Sequence, residues 1–129
     1  MSFTEVQNIN DITGEIVDAS IKIHRALGPG LLERVYEECL CFELQKRNLK
    51  VERQKQLSVL YEELFIESAF RLDMLVEDTV IIELKSAELM IPVYEAQILT
   101  YMKLAHKPLG LLINFNVPLV KDGIKRFKL

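Results

Sequence analysis

The sequence R-L-D-M-L-V-E-D-T-V-I-I-E-L-K-S-A, residues 71–87, decides the fold of this chain. Its two arms each alternate with a period of two, which is typical of β-strands, and they meet at Glu77-Asp78-Thr79. The stretch therefore predicts a β-hairpin, and everything else in the chain is arranged around it.

A three-residue connection sets the register of this hairpin. On one side it gives a continuous apolar face, in which the facing pairs are Val76 with Val80, Met74 with Ile82, and Leu72 with Leu84. On the other side, Asp73 lies directly opposite Glu83. A two-residue loop would bury Glu83 among aliphatic side chains, so the hydrophobic pattern selects the three-residue connection.

The facing carboxylates Asp73 and Glu83 have two interpretations. Side chains directly opposite each other lie roughly 5 Å apart at Cβ, close enough for two carboxylates to share one divalent cation. Hard oxygen ligands suit Mg²⁺ or Mn²⁺, and Lys85 would then orient or deprotonate a water beside the ion. In the second interpretation, Lys85 and Arg71 neutralise the two acids on an ordinary charged face of the hairpin.

Length and composition indicate one globular domain spanning residues 1–129. Apolar residues make up 50% of the chain, and no apolar run approaches the ~20 residues of a membrane span. Cys39 and Cys41 point to different sides of a predicted helix, so we expect a reduced, cytoplasmic protein. The formal charge of −3 argues against broad electrostatic binding of nucleic acid but leaves room for a local basic patch.

Two helices precede the sheet. Apolar residues at spacings of three and four predict an amphipathic helix from Asn10 to Leu27, ended by Gly28-Pro29-Gly30. A second helix is predicted from Leu31 to Arg47. Glu33 falls in its first turn, where a carboxylate interacts favourably with the helix dipole, and this alone would explain the residue.

The remaining elements predict a mixed sheet flanked by helices. The patterns give strands at Val51–Tyr61, from Leu64 onward with an irregularity at Glu67-Ser68-Ala69, at Gly110–Asn116 and at Ile124–Leu129, and a helix at Val93–Ala105. A turn at Glu62-Glu63 joins the first two strands. The order is ααβββαβ with a short final strand, and its βαβ step places the chain in the α/β class.

Two further groups of residues are candidates for a site. Gln97 and Tyr101 lie one turn apart and share a face of the third helix, as ordinary surface residues also do. Lys121, Lys125 and Arg126 belong to the most basic stretch of the chain. That stretch is typical of a solvated sheet edge and is also a candidate for contacts with phosphates.

The element order, with Asp73 on one strand and Glu83-Leu84-Lys85 on the next, resembles the PD-(D/E)XK nuclease superfamily. Within it the chain resembles the GxxExxY family, whose naming motif corresponds to Gly30-Leu-Leu-Glu33-Arg-Val-Tyr36. From about Ile12 onward, the resemblance runs through the blocks Glu52-Arg53-Gln54, Arg71–Asp78, Val80–Lys85, Glu95–Tyr101 and Gly110–Asn116. It departs at Glu62-Glu63, which lacks a glycine, and at Leu72, where relatives have proline; neither change removes a metal ligand.

This resemblance implies that residues with separate, simpler explanations form one active site. Its metal ligands would be Asp73 and Glu83, joined by Glu33 through water, and its ion would be Mg²⁺ or Mn²⁺. Lys85, Gln97 and Tyr101 would complete the catalytic set.

The implied function is hydrolysis of phosphodiester bonds in nucleic acid. One alternative is a nuclease-fold module that binds nucleic acid or protein without turnover, and another is a hydrolase of a different phosphate ester. The small size and modest charge lead us to expect help from a protein partner or a second copy of the chain, and no association with a membrane.

Overall fold

The structure is a computed structural model, and it describes residues 8–129. Its elements are α1 Ile9–Leu27, α2 Glu33–Lys46, β1 Val51–Tyr61, β2 Leu64–Val76, β3 Val80–Lys85, α3 Pro92–Ala105, β4 Leu109–Asn114 and β5 Ile124–Lys128. A short 3₁₀ helix, Val120–Gly123, precedes β5. The predicted order of elements is confirmed, with ends that differ by one or two residues. The predicted domain starts at residue 1, outside the described residues.

The five strands form one mixed sheet in the order β1-β2-β3-β4-β5. β3 and β4 are parallel, because α3 carries the chain from the end of one strand back to the start of the other. The other neighbours are antiparallel. The predicted α/β class is therefore confirmed.

Apolar side chains at helical spacing pack the helices against both faces of the sheet. α1 and α2 cover one face with side chains that include Ile16, Tyr36 and Leu40, all fully buried. α3 covers the other face with Ile98 and Met102. No helix in the described part of the chain is long and apolar enough to cross a membrane.

The hairpin of β2 and β3 has the predicted three-residue connection. Val76 pairs with Val80, and the ladder continues to Met74 opposite Ile82. The turn is tight, since the Thr79 N–H donates to the Val76 carbonyl at 3.0 Å. Its two central residues, Glu77 and Asp78, have φ of 52° and 54°, a conformation that usually favours glycine or asparagine.

The prediction that Leu72 faces Leu84 on one apolar face is wrong. Leu72 packs on the α3 side of the sheet, whereas Leu84 packs on the side of α1 and α2. The reason is a local break in the pairing of β1 with β2: the ladder has no pair between Arg53–Met74 and Lys55–Leu72. Gln54, at that break, has φ of 50°. The two strands turn over at this point, so residues on either side of it exchange faces.

The far end of the β1–β2 hairpin extends away from the rest of the domain. Its two-residue turn at Glu62-Glu63 is as predicted, and the predicted irregularity at Glu67-Ser68-Ala69 is a register shift with Ser68 at φ of 50°. We call residues 58–69 the hairpin arm. Almost all of it is exposed, including the large apolar side chains Leu60, Tyr61, Leu64, Phe65 and Ile66.

Candidate active site

Asp73 and Glu83 lie side by side where the regular ladder between β2 and β3 ends. Each carboxylate accepts a hydrogen bond from the backbone of the other strand. The Asp73 N–H donates to Glu83 Oε2 at 2.9 Å, and the Leu84 N–H donates to Asp73 Oδ2 at 2.9 Å. These side chains thus take the place of the backbone partners that a continued ladder would provide, and each fixes the orientation of the other.

Burial places both carboxylates in an electrostatically unfavourable position. Glu83 is only 4% exposed, and its burial, together with the charge of Asp73, raises the pKa of Glu83 to about 8. Burial also raises the pKa of Asp73, and the charges of Glu37 and Glu33 add to this effect while the hydrogen bond from Leu84 opposes it. Ionising both carboxyl groups at once is therefore unfavourable while no cation is bound.

Direct neutralisation of these acids by cationic side chains does not occur within residues 8–129. Neither Lys85 nor Arg71 forms an ion pair there. The Lys85 Nζ lies over the ring of Tyr94 instead, 4.5 Å from the ring centroid. Its charge still lowers the pKa of both carboxyl groups, so it is near enough to act on the site.

A cavity of about 460 Å³ brings the predicted site residues together. All six of the residues expected to act in catalysis line it: Glu33, Asp73, Glu83, Lys85, Gln97 and Tyr101. Four other residues complete its wall. The hairpin pattern predicted Arg71 beside the two acids, and sequence reasoning did not give the other three this place: Gln56, Ser68 and Phe70. The predicted irregularity near Ser68 was the one available signal, because a bulged strand often bends over a site.

Glu33 reaches the cavity from the N-terminus of α2. The motif around it has a clear structural role: the Tyr36 hydroxyl donates to the Gly28 carbonyl at 2.6 Å and accepts from the Leu31 N–H at 3.1 Å. This clamp holds the loop that starts the helix, in which Gly30 has φ of 96°. Tyr36 thereby determines where Glu33 enters the cavity.

The three predicted acidic ligands do not form one cluster. Within residues 8–129, no three histidine, cysteine, aspartate or glutamate side chains are grouped closely enough to hold an ion together. Asp73 and Glu83 are a close pair, and Glu33 lines the same cavity. A role for Glu33 through an intervening water stays a prediction.

Gln97 and Tyr101 approach the cavity from α3, as their spacing of one turn predicts. The Tyr101 ring stacks on Phe70 of β2 with centroids 5.0 Å apart. Burial raises the pKa of the Tyr101 hydroxyl, and the charge of Glu83 contributes to that rise. The phenol is therefore a neutral hydrogen-bonding group at neutral pH.

The three basic residues near the C-terminus lie away from this cavity. Lys125 donates to Glu95 of α3 at 2.6 Å, and Arg126 donates to Asn10 of α1 at 2.7 Å. Lys121 lies in the turn before β5, beside α1. The structure does not bring any of the three together with Asp73 and Glu83.

A polar cluster behind Asp73 ties the break in β1 to α2. The buried carboxylate of Glu37 accepts from Arg53 Nε at 3.0 Å and from Gln54 Nε2 at 2.6 Å. These contacts explain why Arg53 and Gln54 follow one another at this position: both side chains anchor the strand on one acid. Gln54 is the residue at the missing pair opposite Asp73.

The donor set fits a hard divalent cation. Asp73 Oδ1 and Glu83 Oε1 accept no hydrogen bond from residues 8–129, and neither is a buried, unsatisfied atom. Both residues line the cavity, so these oxygens are available to a ligand there. Mg²⁺ is commonly bound by one or two carboxylates, with water and substrate phosphate completing its coordination, and a two-carboxylate site matches that pattern.

A family model described as the PD-(D/E)XK nuclease superfamily matches residues 10–127, nearly the whole described chain. The chain belongs to the PD-(D/E)XK nuclease superfamily. The assignment of Asp73 and Glu83-Leu84-Lys85 to the acidic and lysine positions of the superfamily name stays a prediction. No curated protein and no solved structure matches the chain significantly.

Proposed function

We propose that this PD-(D/E)XK protein is a metal-dependent nuclease that hydrolyses phosphodiester bonds of nucleic acid. The observation that supports this most is the Asp73–Glu83 pair. The buried Glu83 and the half-buried Asp73 each accept a backbone hydrogen bond from the other's strand, each keeps one oxygen available to the cavity, and no side chain among residues 8–129 neutralises them. Such a pair is costly to the fold unless a cation binds to it.

Asp73 and Glu83 would hold Mg²⁺ or Mn²⁺, with Glu33 contributing through a water molecule. A bound divalent ion lowers the pKa of a coordinated water and neutralises charge on the scissile phosphate. The backbone hydrogen bonds from Leu84 and Asp73 keep the two carboxylates in fixed orientations before the substrate arrives.

Lys85 would act on the reacting atoms directly. Its ammonium group orients the attacking water or stabilises the charge of the pentavalent phosphorane. The Tyr94 ring provides a resting position beside the site. Gln97 and Tyr101 orient Lys85 or contact the nucleic acid, since both line the same cavity.

Lys121, Lys125 and Arg126 would contribute phosphate contacts remote from the cleaved bond. Each such contact steepens the decrease of affinity with salt, because binding releases counterions from the nucleic acid. Replacing all three with alanine should flatten that dependence. An unchanged salt dependence would remove them from the interface.

The finer family assignment is also part of this proposal. We infer membership of the GxxExxY family from the motif Gly30-Leu-Leu-Glu33-Arg-Val-Tyr36, in which Tyr36 clamps the loop and Glu33 reaches the cavity.

The direct test is cleavage of plasmid, linear duplex and single-stranded substrates in Mg²⁺. Asp73→Asn and Lys85→Ala should each lower the rate by about a hundred- to a thousandfold, as expected for the loss of a group that stabilises the transition state. Lys103→Ala is the matched control, because this lysine is exposed and lies outside the cavity. Activity that survives both Asp73→Asn and Lys85→Ala would show that the site is elsewhere.

A second candidate is a nuclease-fold module that binds nucleic acid or protein without turnover. Two observations favour it: no three acidic side chains among residues 8–129 are grouped to hold an ion, and Lys85 lies over Tyr94. A melting temperature that rises with Mn²⁺ supports the nuclease, because an ion that binds only the folded state stabilises it. No rise at millimolar Mn²⁺ would favour the silent module.

A further inference from the structure

We propose that the cavity beside the carboxylates contains a binding site for one unpaired nucleotide, so that the substrate is a single strand or an unpaired end. The proposal rests on the proposed nuclease function and adds the substrate class to it. The site is formed by Phe70, Gln56 and Ser68 of the β1–β2 hairpin, with Tyr101 of α3 opposite and Arg71 at its side.

The stacked rings of Phe70 and Tyr101 provide a surface on which a base can stack. Phe70 and Tyr101 lie with ring centroids 5.0 Å apart and planes at 29°. Both rings are partly exposed, and both line the cavity that holds Asp73 and Glu83. Stacking of a base on an aromatic side chain contributes about 1–3 kcal/mol and tolerates any base sequence.

Polar groups that can hydrogen-bond to the edge of the base line the same cavity as the two rings. The Ser68 hydroxyl donates to Gln56 Oε1 at 2.7 Å. That contact fixes the amide and leaves its Nε2 group without a partner among residues 8–129. The amide can therefore donate to an acceptor on the base edge.

The charges around the cavity favour a single strand of nucleic acid over a duplex. Arg71 lies on the cavity wall and forms no ion pair within residues 8–129, so it can contact a phosphate next to the cleaved bond. The hairpin arm beyond the cavity carries Glu62, Glu63 and Glu67, and residues 57–70 contain no lysine or arginine. The second strand of a duplex lying along the arm would be repelled by these acids.

The depth and size of the cavity agree with this substrate. Glu83 is 4% exposed, so a phosphate must enter the cavity to reach it. The volume of about 460 Å³ lies within the roughly 300–1,000 Å³ of pockets that bind one small ligand. A single unpaired nucleotide can enter such a cavity, whereas a stacked base pair presents its phosphates on the outside of a wide cylinder.

The test compares binding of short single-stranded DNA, single-stranded RNA and duplex DNA by fluorescence anisotropy, with Ca²⁺ in place of Mg²⁺ to prevent cleavage. We expect at least about tenfold tighter binding of a single strand than of the duplex. Phe70→Leu should weaken single-strand binding by roughly 5- to 150-fold, the range that corresponds to the loss of one stacked base. Phe70→Tyr should retain most of the affinity.

Phe127→Leu is the matched control. Phe127 packs in the same apolar cluster as Phe70 but does not line the cavity, so its loss should leave the affinity unchanged. A single strand with 2-aminopurine should show quenched fluorescence on the wild type and on Phe70→Tyr, but not on Phe70→Leu. Thermal melting of each variant checks that the fold is retained, and the DNA and RNA strands show which sugar the site accepts.

Equal affinity for duplex and single strand, or a Phe70→Leu variant that binds like the wild type, would overturn the nucleotide site. Mg²⁺-dependent cleavage that is lost in Asp73→Asn would in that event leave the proposed nuclease function standing. Conversely, single-strand binding that depends on Phe70 without any cleavage would support the nucleotide site and contradict the nuclease.

Discussion

The two halves of the β2–β3 pair differ sharply although they lie only a few residues apart. Next to the turn, from Val76–Val80 to Met74–Ile82, the strands are joined by backbone hydrogen bonds and their side chains are buried and apolar. Beyond Ile82, the carboxylates of Asp73 and Glu83 replace the backbone partners. The first half stabilises the fold, and the second half places two acidic side chains on the wall of the cavity.

This difference indicates where the function lies. A ladder of apolar pairs needs no ligand, because burial of its side chains is favourable by itself. A buried carboxylate beside a half-buried one, without a cationic partner, is unfavourable, so such a pair is expected mainly where a ligand compensates for it. The following experiments test whether one half is devoted to stability and the other to ion binding.

The largest expected effect on stability is in the half next to the turn. Ile82→Ala should lower the free energy of unfolding by about 2–5 kcal/mol, because Ile82 is fully buried and its truncation leaves a cavity. Urea denaturation measures this change. Leu60→Ala on the hairpin arm is the control, since a side chain that is 67% exposed should contribute less than about 0.5 kcal/mol.

If the apolar half of the β2–β3 pair has no part in ion binding, Mn²⁺ should still stabilise the Ile82→Ala variant. This stabilisation is measured at a temperature at which the variant is folded. An Ile82→Ala variant that is folded but is no longer stabilised by Mn²⁺ would contradict the separation of the two halves.

The next largest effect is a gain of stability that we expect for Glu83→Gln in the absence of a divalent ion. The folded-state pKa of Glu83, about 8, lies above that of an exposed glutamate, near 4.3. In EDTA, the contribution of Glu83 to the stability of the wild type should therefore be fully present at acid pH and be lost as the pH rises toward 8. Glu83→Gln removes this loss, so above pH 8 its free energy of unfolding should exceed that of the wild type by about 1–4 kcal/mol.

Urea denaturation in EDTA across this pH range measures the gain, and the same titration in Mn²⁺ provides the control. The ion should stabilise the wild type and leave Glu83→Gln unchanged. A variant that is no more stable than the wild type at any pH would mean that Glu83 is not an unfavourable charge in the metal-free protein.

The smallest effect concerns the break in the pairing of β1 with β2, opposite Asp73. Gln54 has φ of 50°, which glycine adopts freely and a β-branched residue resists. Gln54→Val should therefore be less stable than Gln54→Gly by about 1–2 kcal/mol, and it should bind Mn²⁺ more weakly because Asp73 lies opposite. Both variants lose the hydrogen bond to Glu37, so their difference isolates the backbone conformation.

Thermal melting with and without Mn²⁺ measures both quantities. Equal stability and equal response to Mn²⁺ in the two variants would show that the left-handed conformation of Gln54 has no part in presenting Asp73.

The central hairpin could be predicted because one pattern determines its register. Only a three-residue connection keeps Glu83 out of the apolar face, and this choice also places Asp73 beside it. The spacing of Gln97 and Tyr101 likewise determined that both side chains reach the same cavity. These features depend on local periodicity, which the sequence displays directly.

The missed features depend on backbone conformations and contacts that the sequence does not mark. Gln54 turns the strands over without a glycine, and that is why Leu72 lies on the opposite face from the one predicted. Phe70 meets Tyr101 only because the hairpin bends over the cavity, a contact between distant elements. Lys85 lies over Tyr94, a position that depends on how α3 packs.

The most direct test of the central claim is the anomalous scattering of manganese in a crystal soaked in Mn²⁺. The account predicts a peak in contact with one carboxylate oxygen of Asp73 and one of Glu83, which disappears in Glu83→Gln crystals soaked in the same way. An ion elsewhere, or no peak at a concentration that saturates comparable carboxylate sites, would contradict the claim that this pair exists to bind a cation.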